Sequence, residues 1–212
     1  MDKVQGRVLL VTGGGRGIGA ATARLAARQG WAVAVNYTAN SLAADEVVRA
    51  IRAEGGTAMS VQADVAQEDQ VMAMFARIDA KLGRLHGLVN NAGVVDVTAR
   101  VDEMSVARWR RMFDINVIGS MLCAREAVRR MSTRHGGEGG SIVNVSSAAS
   151  RLGSAGQYVD YAAAKGAIDA FTIGLAREVA GEGIRVNAVA MGSVMSASLQ
   201  GALREKRGSL VN

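Results

Sequence analysis

A glycine-rich segment directly after a short apolar run most constrains how this chain can fold. Residues 7–12 (RVLLVT) are aliphatic and β-branched, which predicts a buried strand. Residues 12–19 (TGGGRGIG) follow, and an alanine-rich helix is predicted over residues 18–29. Glycines at such a turn let the backbone approach a pyrophosphate, and the helix N-terminus then presents its N–H groups and positive dipole to the phosphates. The segment therefore favours a nucleotide-binding turn over a glycine turn without a ligand.

Strands and helices alternate along the rest of the chain, which predicts βαβ units and a parallel sheet covered by helices on both faces. The expected fold class is a Rossmann-type doubly wound α/β sheet of six strands, with a possible short seventh. We expect one domain over residues 1–212, because no long linker separates the elements. The other predicted strands are 31–36, 57–62, 85–90, 141–146 and 184–190, and the other predicted helices are 41–54 (N-cap Ser41), 67–82, 105–132 (in one or two pieces) and 159–180.

Composition is typical of a soluble globular protein. The chain has 25 Lys and Arg against 19 Asp and Glu, and this net charge of +6 is scattered, which disfavours nucleic-acid binding. No apolar run approaches the roughly 18–20 residues of a membrane span, and no secretory signal is visible. The single Cys123 cannot form an internal disulfide, so we expect a cytoplasmic protein. Two histidines and one cysteine argue against a structural zinc site.

Two residues in the predicted helix 159–180 have acid–base potential. Tyr161 and Lys165 are four residues apart, so both side chains lie on one helix face. An ammonium beside a phenol favours the phenolate, and we therefore expect Lys165 to lower the pKa of Tyr161 from about 10 towards neutral pH. This spacing alone is also common on ordinary helix surfaces.

Polar residues follow the fourth and fifth predicted strands, at the edge where parallel sheets bind ligands. Ser147 comes just after the fifth strand, where its hydroxyl can bond a substrate oxygen or simply form a turn. Residues 90–93 (NNAG) end the fourth strand, and their asparagines either fix a loop or form a turn. Asn116 lies within a predicted helix, where asparagine is mildly unfavourable, so we expect it to have a specific partner.

These motifs, in the order TGGGRGIG, NNAG, Asn116, Ser147 and YAAAK (residues 161–165), resemble the short-chain dehydrogenase/reductase family. The resemblance extends from about residue 5 to 192, and VNVSSAASRLGS, YVDYAAAKGAIDAFT and EGIRVNAV are similar to its sugar-dehydrogenase-like branch. It implies an NAD(P)-dependent oxidoreductase that interconverts an alcohol and a carbonyl of a small-molecule substrate by hydride transfer.

The resemblance also implies roles for individual residues. Tyr161 is implied as the general acid/base, Lys165 as the group that lowers its pKa and holds the nicotinamide ribose, and Ser147 as the residue that orients the substrate oxygen. Asn116 is implied to support a proton-relay water. The residues implied to contact the cofactor, besides Tyr161 and Lys165, are Gly13, Arg16, Gly17, Ile18 and Gly19 at the phosphates, Asp64 and Val65 at the adenine, Asn90, Ala92 and Gly93 on its ribose side, and Gly192, Val194 and Ser196 near the nicotinamide.

The end of the second predicted strand bears on the choice between NAD and NADP. NAD sites place a carboxylate there for the ribose 2′-hydroxyl, whereas this chain has Asn36, Tyr37 and Thr38, with Asn36 as the candidate contact. Arg16 offers a guanidinium that can pair with a 2′-phosphate. We therefore predict NADP as the cofactor, with NAD as the alternative.

The resemblance weakens after the sixth predicted strand. Met191 and Gly192 replace the Pro-Gly of the family, in a chain without proline, and the family's substrate segment is shortened. Residues 208–212 resemble the family's closing strand, after a short helix over about residues 197–206, which implies an internal deletion; an unrelated tail is the alternative. Because that segment normally forms one wall of the substrate pocket, a dinucleotide-binding protein with weak or no turnover is the alternative function.

We expect the helices over residues 105–132 and 159–180 to pair two copies of the chain. Their outer faces have more apolar residues than one face of a sheet can cover. The resemblance implies the same pairing, and a homodimer is expected, with a homotetramer as the alternative. The apolar residues concerned include Met121, Leu122, Ile168, Phe171 and Leu175.

Overall fold

Six strands pair in parallel, which confirms the predicted Rossmann-type α/β class. The computed structural model describes residues 6–192, and all six strands lie in that range. The expected final helix and seventh strand, with Val194 and Ser196, lie outside the described residues. The strands are β1 (Val8–Val11), β2 (Ala32–Tyr37), β3 (Ala58–Gln62), β4 (Leu85–Asn90), β5 (Gly140–Ser147) and β6 (Ile184–Met191).

The strand order places the carboxyl ends of β1 and β4 side by side. Across the sheet the order is β3-β2-β1-β4-β5-β6, so the winding direction reverses between β1 and β4. The two strands pair in parallel, with Leu10 opposite Leu88. Loops that leave a sheet at such a switch point diverge and open a crevice. The glycine segment after β1 and the NNAG segment after β4 therefore meet at one crevice.

Seven α-helices within residues 6–192 cover the two faces of the sheet. The bounds of the predicted helices agree with the observed ones to within a few residues, but the short helix Ala149–Leu152 was not predicted, and the N-cap of the second helix is Asn40 and not Ser41. The Asn40 Oδ1 accepts the N–H of Ala43 at 3.0 Å, the bond that an N-cap side chain makes. The helices are α1 (Gly17–Arg28), α2 (Ser41–Ala53), α3 (Glu68–Lys81), α4 (Val106–Phe113), α5 (Gly119–Met131), α6 (Ala149–Leu152) and α7 (Val159–Val179).

The long helical stretch predicted over residues 105–132 contains one widened turn. A π-helical segment, Asp114–Ile118, joins α4 to α5 and contains Asn116. The Asn116 side chain is buried, and its amide donates to the carbonyls of Val94 and Met112 at 3.0 and 2.9 Å. Asn116 therefore has the specific partners expected of it, and a widened turn of this kind is common at functional sites.

Apolar side chains pack on both faces of the sheet, because successive residues of a strand point in opposite directions. Leu10 packs in one core with Phe75 of α3, and Val11 packs in the other with Val47 of α2. Ile168, predicted on an outer face, is instead buried within the described chain. The other apolar residues predicted there, which are Met121, Leu122, Phe171 and Leu175, are half-buried against the cores.

Candidate functional site

A cleft of about 260 Å³ opens at the carboxyl ends of the central strands. It brings together residues that are far apart in the sequence and that come from every predicted motif. Seven of its residues were predicted as site residues, so the predicted motifs converge on one place. The lining consists of Ile18, Asn91, Gly93, Val94, Val95, Asn116, Val145, Ser146, Ser147, Tyr161, Lys165, Met191 and Gly192.

The glycine segment packs too tightly for side chains. A Cβ on Gly19 would lie 2.5 Å from the carbonyl oxygen of Gly13 and 2.6 Å from Nδ2 of Asn91. Gly13 and Gly17 have φ angles of +60° and +53°, the left-handed region that favours glycine. A Cβ on Gly17 would meet nothing within 4 Å, so the backbone there faces open space. The segment therefore leaves room for a ligand beside it.

Asn91 ties the glycine segment to the loop after β4. Its Nδ2 donates to the carbonyls of Thr12 and Gly13 at 2.8 and 3.0 Å. The Thr12 hydroxyl in turn accepts the N–H groups of Asn91 and Ala92, both at 3.0 Å. Sequence reasoning did not select Asn91 as a site residue. The doubled asparagine was the available signal, but it does not tell which of the two faces the cleft.

Two predicted cofactor contacts, Asn36 and Asn90, lie in the interior instead of on the cleft wall. Asn36 is 1% exposed; its Oδ1 accepts the N–H of Gly13 at 3.1 Å, and its Nδ2 donates to the carbonyls of two residues in and after β3. Asn90 is 4% exposed and donates to the Ser120 carbonyl and to Oδ1 of Asn144. Both asparagines brace the segments that form the site.

Asp64 and Val65 lie outside the 260 Å³ cleft, after β3. Asp64 lines a separate, wider cleft of about 520 Å³. Its Oδ1 accepts the N–H of Ala66 at 3.0 Å. Val65 is buried against Gly119, where a Cβ would come within 2.7 Å of the valine methyl group. The structure therefore separates these two residues from the acid–base group.

Tyr161 and Lys165 lie one turn apart on α7, and both line the cleft with Ser147. Lys165 Nζ lies 5.6 Å from the centre of the Tyr161 ring and donates to the Val145 carbonyl at 2.7 Å. Lys165 is 6% exposed, and burial lowers its pKa to about 8, although Asp169 acts in the opposite direction. The lysine is thus a buried cation with a backbone partner.

The prediction that the pKa of Tyr161 is lowered is wrong for this structure. Burial raises the pKa of Tyr161, and only a hydrogen bond with Ser147 acts to lower it. The physical reason is that burial disfavours the charged phenolate, and the Lys165 ammonium is directed to the Val145 carbonyl. Tyr161 is therefore protonated at neutral pH and is set to donate a proton.

The residues present fit a dinucleotide. The N-terminus of α1 has no acidic residue in its first turn and no side-chain cap, so its N–H groups remain available to phosphates. Arg16, at the N-cap, is exposed and forms no ion pair with the described residues. Ser146 lines the cleft, and its hydroxyl is buried without a hydrogen-bond partner among residues 6–192. The start of α1 therefore offers unoccupied N–H groups and a positive charge to an anionic ligand.

Within residues 6–192, no three His, Cys, Asp or Glu side chains are grouped so that they would hold a metal ion. In the same range, no helix is both long enough and apolar enough to cross a membrane. Cys123 is buried, and burial raises the pKa of its thiol to about 12, so the thiol is protonated at neutral pH.

Comparison with known proteins gives a consistent result. Residues 7–208 match the family model described as short chain dehydrogenase. The chain is 54% identical over 187 residues to the uncharacterized oxidoreductase YgfF of Escherichia coli, covering 88% of this chain and 76% of that protein. It is 45% identical over 186 residues to the cis-4-hydroxycyclohexanecarboxylate dehydrogenase of Sinomonas cyclohexanicum, covering 88% and 72%.

A solved structure resembles the fold closely. It is a gluconate 5-dehydrogenase from Burkholderia cenocepacia in complex with NADP and tartrate, with a TM-score of 0.85 and 34% identity. The match covers 96% of this chain and 77% of that one.

Replacing Gly19 by alanine should weaken dinucleotide binding without unfolding the protein. The added Cβ would force the glycine segment away from Asn91, so we expect the Kd for NADPH to rise at least about tenfold, with a loss of about 1–3 kcal/mol in the free energy of unfolding. Fluorescence titration with NADPH and urea denaturation measure the two effects. Gly181→Ala is the matched control, because a Cβ there meets nothing within 4 Å. Wild-type affinity in Gly19→Ala would contradict the role assigned to the segment.

Proposed function

The chain belongs to the short-chain dehydrogenase family, and from that premise we propose that it is an NADP-dependent oxidoreductase that interconverts an alcohol and a carbonyl, with Tyr161 as the general acid/base. The observation that carries the proposal is the convergence of Ser147, Tyr161 and Lys165 on one cleft with the glycine segment. A parallel fold alone would not support a reaction, because such folds serve many functions.

A nicotinamide cofactor, when bound in this cleft, would supply or take up the hydride. In the reducing direction, Tyr161 donates its proton to the substrate oxygen, which becomes the hydroxyl of the alcohol product. Burial raises the pKa of Tyr161, so this proton is present at neutral pH. In the oxidising direction the phenolate accepts the same proton, so oxidation is favoured by higher pH.

Ser147 holds the substrate oxygen beside Tyr161. The Oγ of Ser147 accepts the N–H of Ala149 at 3.2 Å, and its hydroxyl proton, which otherwise bonds Tyr161, would turn to the oxygen of a bound substrate. The hydroxyl groups of Ser147 and Tyr161 then both donate to the substrate oxygen, and they stabilise the negative charge that develops there in the transition state.

Lys165 and the apolar wall set the environment of the reaction. The Lys165 ammonium adds a positive charge inside a cleft whose wall includes Val94, Val145 and Met191. Apolar side chains limit the access of water, and electrostatic effects are stronger where water is excluded. A positive charge at this depth therefore favours negative charge that develops on the substrate oxygen in the transition state.

NADP is proposed over NAD from the charges around the glycine segment. Arg16 is exposed at the start of α1, and Tyr37 and Thr38 at the end of β2 provide no carboxylate that would repel a 2′-phosphate. The similar gluconate 5-dehydrogenase was solved with NADP, which supports the same choice.

A pairing surface for a second copy is proposed on α4, α5 and α7. Large apolar side chains remain exposed on α4, on α7 and on the π-helical segment that joins α4 to α5. Exposed apolar surface of this kind marks an association site. The residues are Trp109, Phe113, Ile118 and Ile173, whose exposed fractions are 37%, 37%, 44% and 56%.

Tyr161→Phe should keep the fold and NADPH binding while kcat for reduction of a carbonyl substrate panel falls about 100- to 10,000-fold, the usual contribution of a general acid. Only the hydroxyl is removed, so circular dichroism and NADPH titration should match the parent protein. A variant that keeps more than about a tenth of the parent's activity would show that another group supplies the proton. If the parent protein binds NADPH but reduces no substrate in the panel, the alternative of dinucleotide binding without turnover is supported instead.

Arg16→Ala should weaken NADPH binding by roughly 10- to 100-fold, the range for loss of a charge-assisted hydrogen bond, and leave NADH nearly unchanged. Titrations with both cofactors measure the difference. Arg24→Ala serves as the matched control, because Arg24 is another exposed arginine on α1, two turns further along. Equal losses for NADPH and NADH in Arg16→Ala would refute the pairing with the 2′-phosphate.

Light scattering at micromolar concentration should give a mass twice the 22.0 kDa of one chain. Ile173→Asp should shift the mass to that of a monomer, because a carboxylate would then be desolvated at the interface. Leu25→Asp is the control, since Leu25 is equally exposed, at 57%, but lies on α1. A monomeric parent protein, or a monomer produced by Leu25→Asp alone, would refute this surface.

A further inference from the structure

A buried ion pair lies directly beside Tyr161, and the mechanism above does not use it. Arg108 of α4 donates through Nε and Nη2 to the two carboxylate oxygens of Asp160, at 2.7 and 3.2 Å. The two side chains are 9% and 1% exposed, whereas those of the nearby pair Arg100 and Asp102 are 72% and 65% exposed. A two-pronged pair removed from water has a fixed geometry, while exposed pairs contribute little.

The carboxylate of Asp160 also holds the backbone of the catalytic residue. Its Oδ1 accepts the N–H of Tyr161 at 2.9 Å. Tyr161 lies in the first turn of α7, where N–H groups have no partner within the helix, and the N-cap Tyr158 forms no side-chain capping bond. Asp160 therefore fixes the turn from which the Tyr161 side chain enters the cleft.

The guanidinium of Arg108 has a third contact, on the opposite wall. Its Nη1 donates to the carbonyl of Val97 at 2.7 Å. Val97 lies in the loop between β4 and α4, and Val94 and Val95 of the same loop line the cleft. One guanidinium thus connects the first turn of α7 to the loop that faces it.

Two further bonds join the same segments. Thr98 Oγ1 bonds the hydroxyl of Tyr158 at 2.9 Å, and the N–H of Ala99 donates to the carbonyl of Gln157 at 3.1 Å. The Arg108–Val97 bond is exposed, as is the Thr98–Tyr158 bond, but its donor is a guanidinium that the buried pair with Asp160 holds in place, and charged donors form the stronger hydrogen bonds.

We propose that Arg108 and Asp160 are positioning residues that fix Tyr161 relative to the loop containing Val94 and Val97, and thereby set the distance from the proton donor to a substrate in the cleft. The proposal rests on the proposed role of Tyr161. Proton transfer requires the reacting atoms to lie within hydrogen-bond reach, so a small shift of α7 against this loop lowers kcat.

A charge-reversed double variant separates positioning from simple stabilisation. In Arg108→Asp/Asp160→Arg an ion pair can still form, but residue 160 no longer accepts the N–H of Tyr161 and residue 108 no longer donates to Val97. We expect kcat to stay about 100-fold below that of the parent protein, while the Kd for NADPH stays within about twofold. If the ion pair only stabilised the fold, the reversed pair would restore kcat to the parent value. That result would overturn the proposal.

Arg108→Lys tests the same point if the double variant does not fold. It keeps the charge but lacks the planar fork that reaches both Asp160 oxygens and Val97 together. We expect kcat to fall at least about tenfold, a larger factor than any change in KM. The matched control is the exposed double variant Arg100→Asp/Asp102→Arg, which should keep the parent's kcat. Parent-like kcat in Arg108→Lys would overturn the proposal.

Hydrogen exchange supplies a readout that needs no turnover. In Arg108→Lys we expect the amides of Tyr161 and Ala99 to exchange at least about tenfold faster, with β1 unchanged, because their local opening becomes easier. If the parent protein shows no turnover, the proposed function fails while the exchange still decides whether the pair couples the two walls. Unchanged exchange at both amides would overturn the coupling.

Discussion

The hydrogen bonds between Asn91 and the end of β1 are the constraint on which the cleft depends. The switch in strand order brings the ends of β1 and β4 together, but it does not by itself fix the position of the loop after β1 relative to the loop after β4. Asn91 does so, because its amide reaches the carbonyls of both Thr12 and Gly13. Gly19 must then pack against this contact, so its lack of a side chain is a packing requirement.

The cleft buries a proton donor, Tyr161, close to a cation, Lys165, and burial changes the pKa of both groups. Burial raises the pKa of Tyr161 and lowers that of Lys165, so both effects favour the neutral forms. The Val145 carbonyl offsets part of this cost for Lys165 by accepting a hydrogen bond at 2.7 Å. The ammonium is therefore held at a fixed depth, 5.6 Å from the centre of the Tyr161 ring.

The sequence predicts the fold and most of the cleft, because periodicity and glycine placement depend on local chemistry. It places Ser147, Tyr161 and Lys165 at the right ends of the right elements, and the structure brings all three to one cleft. It does not predict the partner of Lys165 or the N-cap Asn40. The carbonyl that accepts from Lys165 leaves no signal in the sequence, because every residue has one. Asn40 and Ser41 are both favoured N-cap residues, so the sequence does not choose between them.

The asparagines show why a motif residue need not contact a ligand. Asn36, Asn90 and Asn116 are each buried and bond mainly to backbone groups of neighbouring segments. A side-chain amide both donates and accepts, so one residue can pair with the backbone at places where two segments meet without forming a regular ladder. A change at such a position would leave buried backbone groups unpaired and shift the loops that they support. These three residues thus support the walls of the cleft, and Asn116 also lines it.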